Sequence, residues 1–155
     1  MEYREINGDL INLARNGAFD VITHGCNSMS IMSAGIAPHM ARAFGCDQFP
    51  LEDVLTRGDI NKLGQIEFKE VAISPERSVT VVNSYTQYVP TVAFKPLDYE
   101  ALTLCLRKIN HRFRGQHIGL PKIGAGLAGG DWERIRVIIQ TELKDCDVTV
   151  VMLNK

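Results

Sequence analysis

The sequence lacks the features that would tie it to a membrane, a secretory route or a polynucleotide backbone. No apolar run approaches the roughly 18 residues needed to span a bilayer as a helix, so a transmembrane helix is excluded. The start, Met1-Glu2-Tyr3-Arg4-Glu5, has no apolar core segment, and no secretory signal is expected. Charge of one sign is also missing. Seventeen basic residues face 18 acidic ones, whereas a protein that grips nucleic acid shows a basic excess or stripe; a nucleic-acid partner is therefore not expected.

Cysteines are few and scattered, at positions 26, 46, 105 and 146, and no two form a C-x-x-C pair. Zinc-ribbon and thioredoxin chemistry are thus out, and reduced thiols in a cytoplasmic protein are expected. A thiolate phosphatase loop would place an arginine six positions after its cysteine, but Met32, Glu52, His111 and Met152 stand there. No G-x-x-x-x-G-K-[ST] stretch is present, which excludes a P-loop. The four histidines, His24, His39, His111 and His117, show no ligand spacing, so neither a metal nor another cofactor is expected.

What is present suits one ordinary domain over residues 1–155, with 45% apolar and 23% charged residues. There is no repeat, low-complexity stretch or linker. Strand-like and helix-like segments alternate. Strands are expected at Glu2 to Ile6, Ala18 to Cys26, Gly64 to Ile73, Ser78 to Ser84, His117 to Leu120 and Asp147 to Leu153. Helices are expected at Asp9 to Arg15, Gly35 to Phe44, Leu51 to Arg57, Leu97 to Phe113 and Asp131 to Leu143. Pro75-Glu76-Arg77 reads as a turn between the third and fourth strands. The alternation predicts an α/β sandwich with a largely parallel or mixed sheet covered on both sides.

The most informative segment is Leu120-Pro121-Lys122-Ile123-Gly124-Ala125-Gly126-Leu127-Ala128-Gly129-Gly130-Asp131-Trp132. An apolar strand leads into four glycines within seven residues, and a helix follows. Glycine lets backbone N–H groups approach a ligand, and a helix N-terminus adds donors and positive partial charge. Strand, glycine loop and helix together make a phosphate cradle. The spacing Gly124-x-Gly126-x-x-Gly129 formally matches a dinucleotide fingerprint, but it lies near the C-terminus. The acidic residues about 20 positions on, Asp145 and Asp147, open a strand where that fold needs one to close it.

Other candidates fall at predicted strand ends. His24-Gly25-Cys26-Asn27 closes the second strand, where open α/β sheets bind ligands. Cys26 reads as a small buried filler, His24 as either a hydrogen-bonded strand-end side chain or a functional group, and Asn27 as a ligand contact. Ser33-Ala34-Gly35-Ile36-Ala37 gives a second small-residue turn onto a helix. Two such turns on one sheet edge suit a diphosphate, with an ordinary N-cap by Ser33 as the lesser alternative. Asp9, after Gly8, can accept from an exocyclic amine or cap its helix; Asp131 has the same capping alternative.

Taken together, Asn7-Gly8-Asp9-Leu10, His24-x-Cys26-Asn27, Ser33-Ala34-Gly35-Ile36-Ala37 and Leu120-Pro121-Lys122-Ile123-Gly124-Ala125-Gly126-Leu127 resemble a macro domain in order and spacing over nearly the whole chain. The similarity is greatest to the small stand-alone subgroup that includes ADP-ribose 1″-phosphate phosphatases. It implies a three-layer α/β/α sandwich with a mixed, mostly parallel six-stranded sheet and a cleft for ADP-ribose. By resemblance, Asp9 takes the adenine amine, with Gly8 and Leu10 beside it. Ser33, Ala34, Gly35, Ile36 and Ala37 line one side of the diphosphate, and Ile123, Gly124, Ala125, Gly126, Leu127 and Ala128 line the other. Asn27 holds the distal ribose.

The activity implied is hydrolysis of ADP-ribose 1″-phosphate to ADP-ribose and phosphate, with His24 as catalytic acid or base and Asp131 as the assisting carboxylate. Two alternatives accompany it. One is a non-catalytic ADP-ribose reader, which would also bind ADP-ribosylated protein. The other is a hydrolase that removes ADP-ribose from macromolecules. Related enzymes of the latter kind carry an aspartate where this chain has Ala128 and a lysine after the fourth strand, where it reads Asn83-Ser84-Tyr85-Thr86-Gln87.

Overall fold

The structure is a computed structural model that describes residues 1–28, 32, 35–49, 60–88, 97–126 and 128–153. Among the described residues, six strands and four helices follow one another as β1 (Tyr3–Asn7), α1 (Leu10–Arg15), β2 (Val21–Asn27), α2 (Ala37–Phe44), β3 (Ile66–Ser74), β4 (Arg77–Gln87), α3 (Tyr99–Arg112), β5 (His117–Leu120), α4 (Trp132–Glu142) and β6 (Asp147–Met152). Two short 3-10 turns lie at Cys46–Gln48 and Ile60–Lys62. The helix expected at Leu51 to Arg57 lies outside the described residues.

The strands form one sheet in the order β1-β6-β5-β2-β4-β3. Every neighbouring pair is parallel except β3 with β4. That exception follows from the sequence: Ser74 pairs with Arg77 across Pro75-Glu76, and a two-residue connection can only reverse the chain. The central strands are buried on both faces, and β2 and β6 accordingly carry near-continuous apolar or small residues. On one face, Leu10 and Ala14 of α1 and Met40 and Phe44 of α2 pack on Ile22, Val79 and Val81. On the other, Leu102, Leu106 and Ile109 of α3 and Ile135 and Ile139 of α4 pack on Ile118, Val148 and Val150. This is the three-layer sandwich that the alternation of elements predicts.

Element ends are set by side chains that the apolar pattern does not weigh. Asp9, Asp98 and Asp131 each accept an amide hydrogen bond from the first turn of the following helix. As a result α3 opens at Tyr99, two residues later than its apolar spacing suggests, and Leu97 bridges to Gln87 instead. β2 likewise runs on to Asn27, which pairs with Gln87 beyond a bulge.

Candidate functional site

Five of the six strands run the same way, so β1, β6, β5, β2 and β4 all deliver their carboxyl ends to one edge of the sheet. The segments after β1, β2 and β5 carry most of the site residues expected from the sequence. Asp9 stands at the β1 end and is exposed, its Oδ1 accepting from the amides of Ile11 at 3.0 Å and Asn12 at 3.1 Å. Gly8 precedes it, its amide donating to the Met152 carbonyl at 2.9 Å, and Leu10 is buried beneath. Asn27 closes β2 and is nearly buried.

The loop after β5 is a compact set of turns. Amide hydrogen bonds run from Ala125 to Lys122 at 3.1 Å, from Gly129 to Gly126 at 3.0 Å and from Gly130 to Gly124 at 2.8 Å. Gly124 at φ 76° and Gly129 at φ 73° occupy the left-handed region that glycine favours. Gly130 is held by space: a Cβ there would lie 2.4 Å from Leu97 Cδ2 and 2.7 Å from the Gly124 carbonyl oxygen. Gly126 differs, being exposed, with nothing within 4 Å of a Cβ. Among the described residues no acceptor takes the N–H of Gly124 or Gly126. Ile123 and Ala128 are buried beneath this loop, and Leu127 lies outside the described residues.

The second small-residue turn supplies donors too. Gly35 has φ 66°, and Ile36 is the N-cap of α2, with no side-chain capping bond. The N–H groups of Ala37 and His39 at the start of α2 therefore lack the usual internal acceptor, and Pro38 between them has no N–H to satisfy. Ser33 and Ala34 fall outside the described residues.

Buried polar atoms without partners concentrate near the same edge. Among the described residues they are His24 Nδ1 and Ser28 Oγ on or just after β2, Thr86 Oγ1 near the end of β4, and Trp132 Nε1 in the first turn of α4. Buried polar groups are ordinarily satisfied. Ser28 and Thr86 escape notice in the sequence because no spacing marks them; Thr86 owes its place to the bulge between β2 and β4. The indole of Trp132 also carries Lys122 Nζ at 5.3 Å and the Arg136 guanidinium at 5.5 Å from its ring centre.

His24 lies deeper than its expected position at a strand end. Its ring is fully buried, with Nε2 2.8 Å from Asn83 Oδ1, and Asn83 Nδ2 donates to the Cys46 carbonyl at 2.9 Å. The second bond orients the amide, so Asn83 Oδ1 accepts and His24 Nε2 carries the hydrogen. The thiols of Cys26 and Cys46 each lie 3.6 Å from the same nitrogen. Burial lowers the imidazole pKa to about 4, against the opposing effect of the Asn83 bond. A general acid or base must reach the reacting oxygen. In this structure the enclosed, neutral ring makes contacts that join β2, β4 and the turn at Cys46. Asp131 is exposed, with its carboxylate on the Glu133 amide at 3.1 Å and its own N–H on the Tyr99 hydroxyl at 2.8 Å.

Beyond Cys26, Glu67 is buried; it accepts from the Tyr85 hydroxyl and pairs with Lys62 Nζ at 3.8 Å, which also lies 4.3 Å from the centre of the Tyr85 ring. Burial lowers the Lys62 pKa, and the Glu67 carboxylate opposes that shift. Sequence spacing gives no hint of this cluster.

No family model matches the chain. It is 30% identical to the 17.5 kDa protein of the tk-vs intergenic region of Enterobacteria phage T4, itself uncharacterized, over 97% of this chain and 96% of that protein. The macrodomain of Thermus aquaticus DarG superposes with a TM-score of 0.71 at 21% identity, covering 99% of this chain and 98% of that one. This chain belongs to one family with the phage protein, and it has the macrodomain fold. A mutant Oceanobacillus iheyensis macrodomain, solved with ADP-ribose, superposes with a TM-score of 0.64 at 17% identity, covering 97% of this chain and 84% of that one. In this macrodomain fold the two glycine-bearing turns and Asp9 occupy the carboxyl edge of the sheet.

Proposed function

We propose that this protein binds ADP-ribose or a close derivative in the cleft at the carboxyl edge of its sheet. The observation that carries this reading is the order of groups along that edge. Asp9 stands at the end of β1, the glycine loop at the end of β5 and Asn27 at the end of β2, with β6 and β5 between the outer two. Three inter-strand steps of about 4.8 Å separate β1 from β2, roughly 14 Å, and an extended ligand runs from base to terminal sugar along such an edge. An acceptor for an exocyclic amine comes first. Amide donors for a diphosphate follow, from Gly124, Gly126 and the uncapped start of α2. A polar side chain for the distal ribose comes last. The ADP-ribose held by the Oceanobacillus macrodomain supports the same ligand here.

Of the reactions open to this cleft, release of phosphate from ADP-ribose 1″-phosphate fits its groups best. The backbone donors would neutralise charge on the transferring group, with water as the attacking nucleophile. Removal of ADP-ribose from macromolecules would call for a carboxylate at position 128, where a buried methyl group stands. Calorimetry with ADP-ribose, run beside an assay for inorganic phosphate from ADP-ribose 1″-phosphate, tests both parts. Saturable binding with phosphate release is expected. Binding without release would leave a reader, and no binding at millimolar ADP-ribose would end the proposal.

A further inference from the structure

The flank of the sheet away from Asp9 holds a second concave surface. β3 ends the strand order and pairs, among the described residues, with β4 alone. Its outer edge therefore presents unpaired backbone donors and acceptors. Ile66 and Phe68 of β3 floor a groove of about 330 Å³ walled by Arg107, Lys108, His111 and Arg112 of α3. The Arg112 guanidinium lies 5.0 Å from the Phe68 ring centre. Arg107 is committed to Glu142 at 3.0 Å, and Lys108 Nζ to the Gly64 carbonyl at 2.7 Å and Gln65 Oε1 at 2.9 Å. His111 and Arg112 are exposed and face no acidic partner among the described residues.

We propose that this groove docks an extended acidic peptide segment, laid along β3 as an added strand. Three features select a peptide. The free strand edge matches the alternating donors and acceptors of another polypeptide backbone. The floor is apolar and would take one aliphatic side chain over Ile66 and Phe68. The Arg112 guanidinium, with no carboxylate partner among the described residues, and the His111 imidazole N–H beside it would meet carboxylates on the flanking residues. A nucleic acid would call for several phosphate contacts, more than these two side chains can make, and the chain's net charge of −1 gives no wider attraction.

The test uses a fluorescent synthetic hexapeptide alternating glutamate and leucine, titrated into the whole protein without ADP-ribose, so its outcome is independent of the cleft. Anisotropy should report saturable binding, and amide resonances of Ile66–Ser74 should shift. Arg112→Glu, on an exposed side chain, should weaken binding by about tenfold or more while the protein still melts cooperatively as a folded domain. The proposal is overturned if the peptide fails to saturate at millimolar concentration, or if a lysine–leucine counterpart binds equally. Tighter binding of a thymidine oligonucleotide, or an Arg112→Glu protein that binds as the parent does, would overturn it as well.

Discussion

At Asp9 both capping hydrogen bonds fall on one oxygen, Oδ1, which leaves Oδ2 able to meet an amine. The two duties can be separated. Asp9→Asn keeps a carbonyl oxygen for the cap, and asparagine caps helices about as well as aspartate. Its amide nitrogen, however, turns the second position from acceptor to donor. ADP-ribose affinity should therefore fall by about 1–3 kcal/mol, the scale of a lost bond to a charged group, while the melting temperature stays close to the parent's. Calorimetry and a thermal melt on the same preparation check this, and unchanged affinity would remove Asp9 from the site. His24 shows the opposite relation between sequence and structure. Its place three residues before the end of β2 depends on pairing with Asn83 and on the turn at Cys46, contacts too distant in sequence for any local pattern to register.

The glycine loop was legible as an element, because four glycines between a strand and a helix leave few other interpretations. Which glycine does what was not legible, since that depends on Leu97, just before α3, and on Ile135 of α4. A Cβ at position 130 would meet Leu97 Cδ2 at 2.4 Å, the Gly124 carbonyl oxygen at 2.7 Å and Ile135 Cδ1 at 2.8 Å. Gly130→Ala should thus destabilise the fold by about 1–3 kcal/mol, as overpacking does. At Gly126 a Cβ meets nothing within 4 Å, and its φ lies outside the left-handed range. Gly126→Ala should leave stability within about 0.5 kcal/mol of the parent yet weaken ADP-ribose, because the added methyl group would occupy the space a diphosphate needs beside the free amide. Urea unfolding and ligand titration of the two variants give opposite patterns if this is right. A binding-neutral Gly126→Ala would move the diphosphate elsewhere.

Across the whole molecule, the alternation of strands and helices was enough to anticipate three layers, and Pro75-Glu76-Arg77 to anticipate a turn between the third and fourth strands; that these two pair antiparallel is read from the structure. The order β1-β6-β5-β2-β4-β3 was not legible, because it depends on which apolar faces meet after long crossovers. That order has an energetic consequence at His24. It places the imidazole between the sheet and the cover from α2 and the Cys46 turn, where burial lowers its pKa from the ordinary 6.5 to about 4. Between those values the unfolded chain binds a proton that the folded chain refuses, so stability falls as pH drops through the window. The full effect is about 3 kcal/mol, reached near pH 4 and absent above about pH 7. Acidic side chains also lose native interactions in acid, so the comparison must be with a protein that lacks the imidazole. His24→Gln keeps a polar side chain but has no group titrating in this range. Its urea-unfolding free energy should fall less steeply than the parent's from pH 6.5 to 4, whatever its stability at neutral pH. Parallel profiles for the two proteins would show that the ring takes up its proton as easily in the folded state as in the unfolded one, and so is not enclosed.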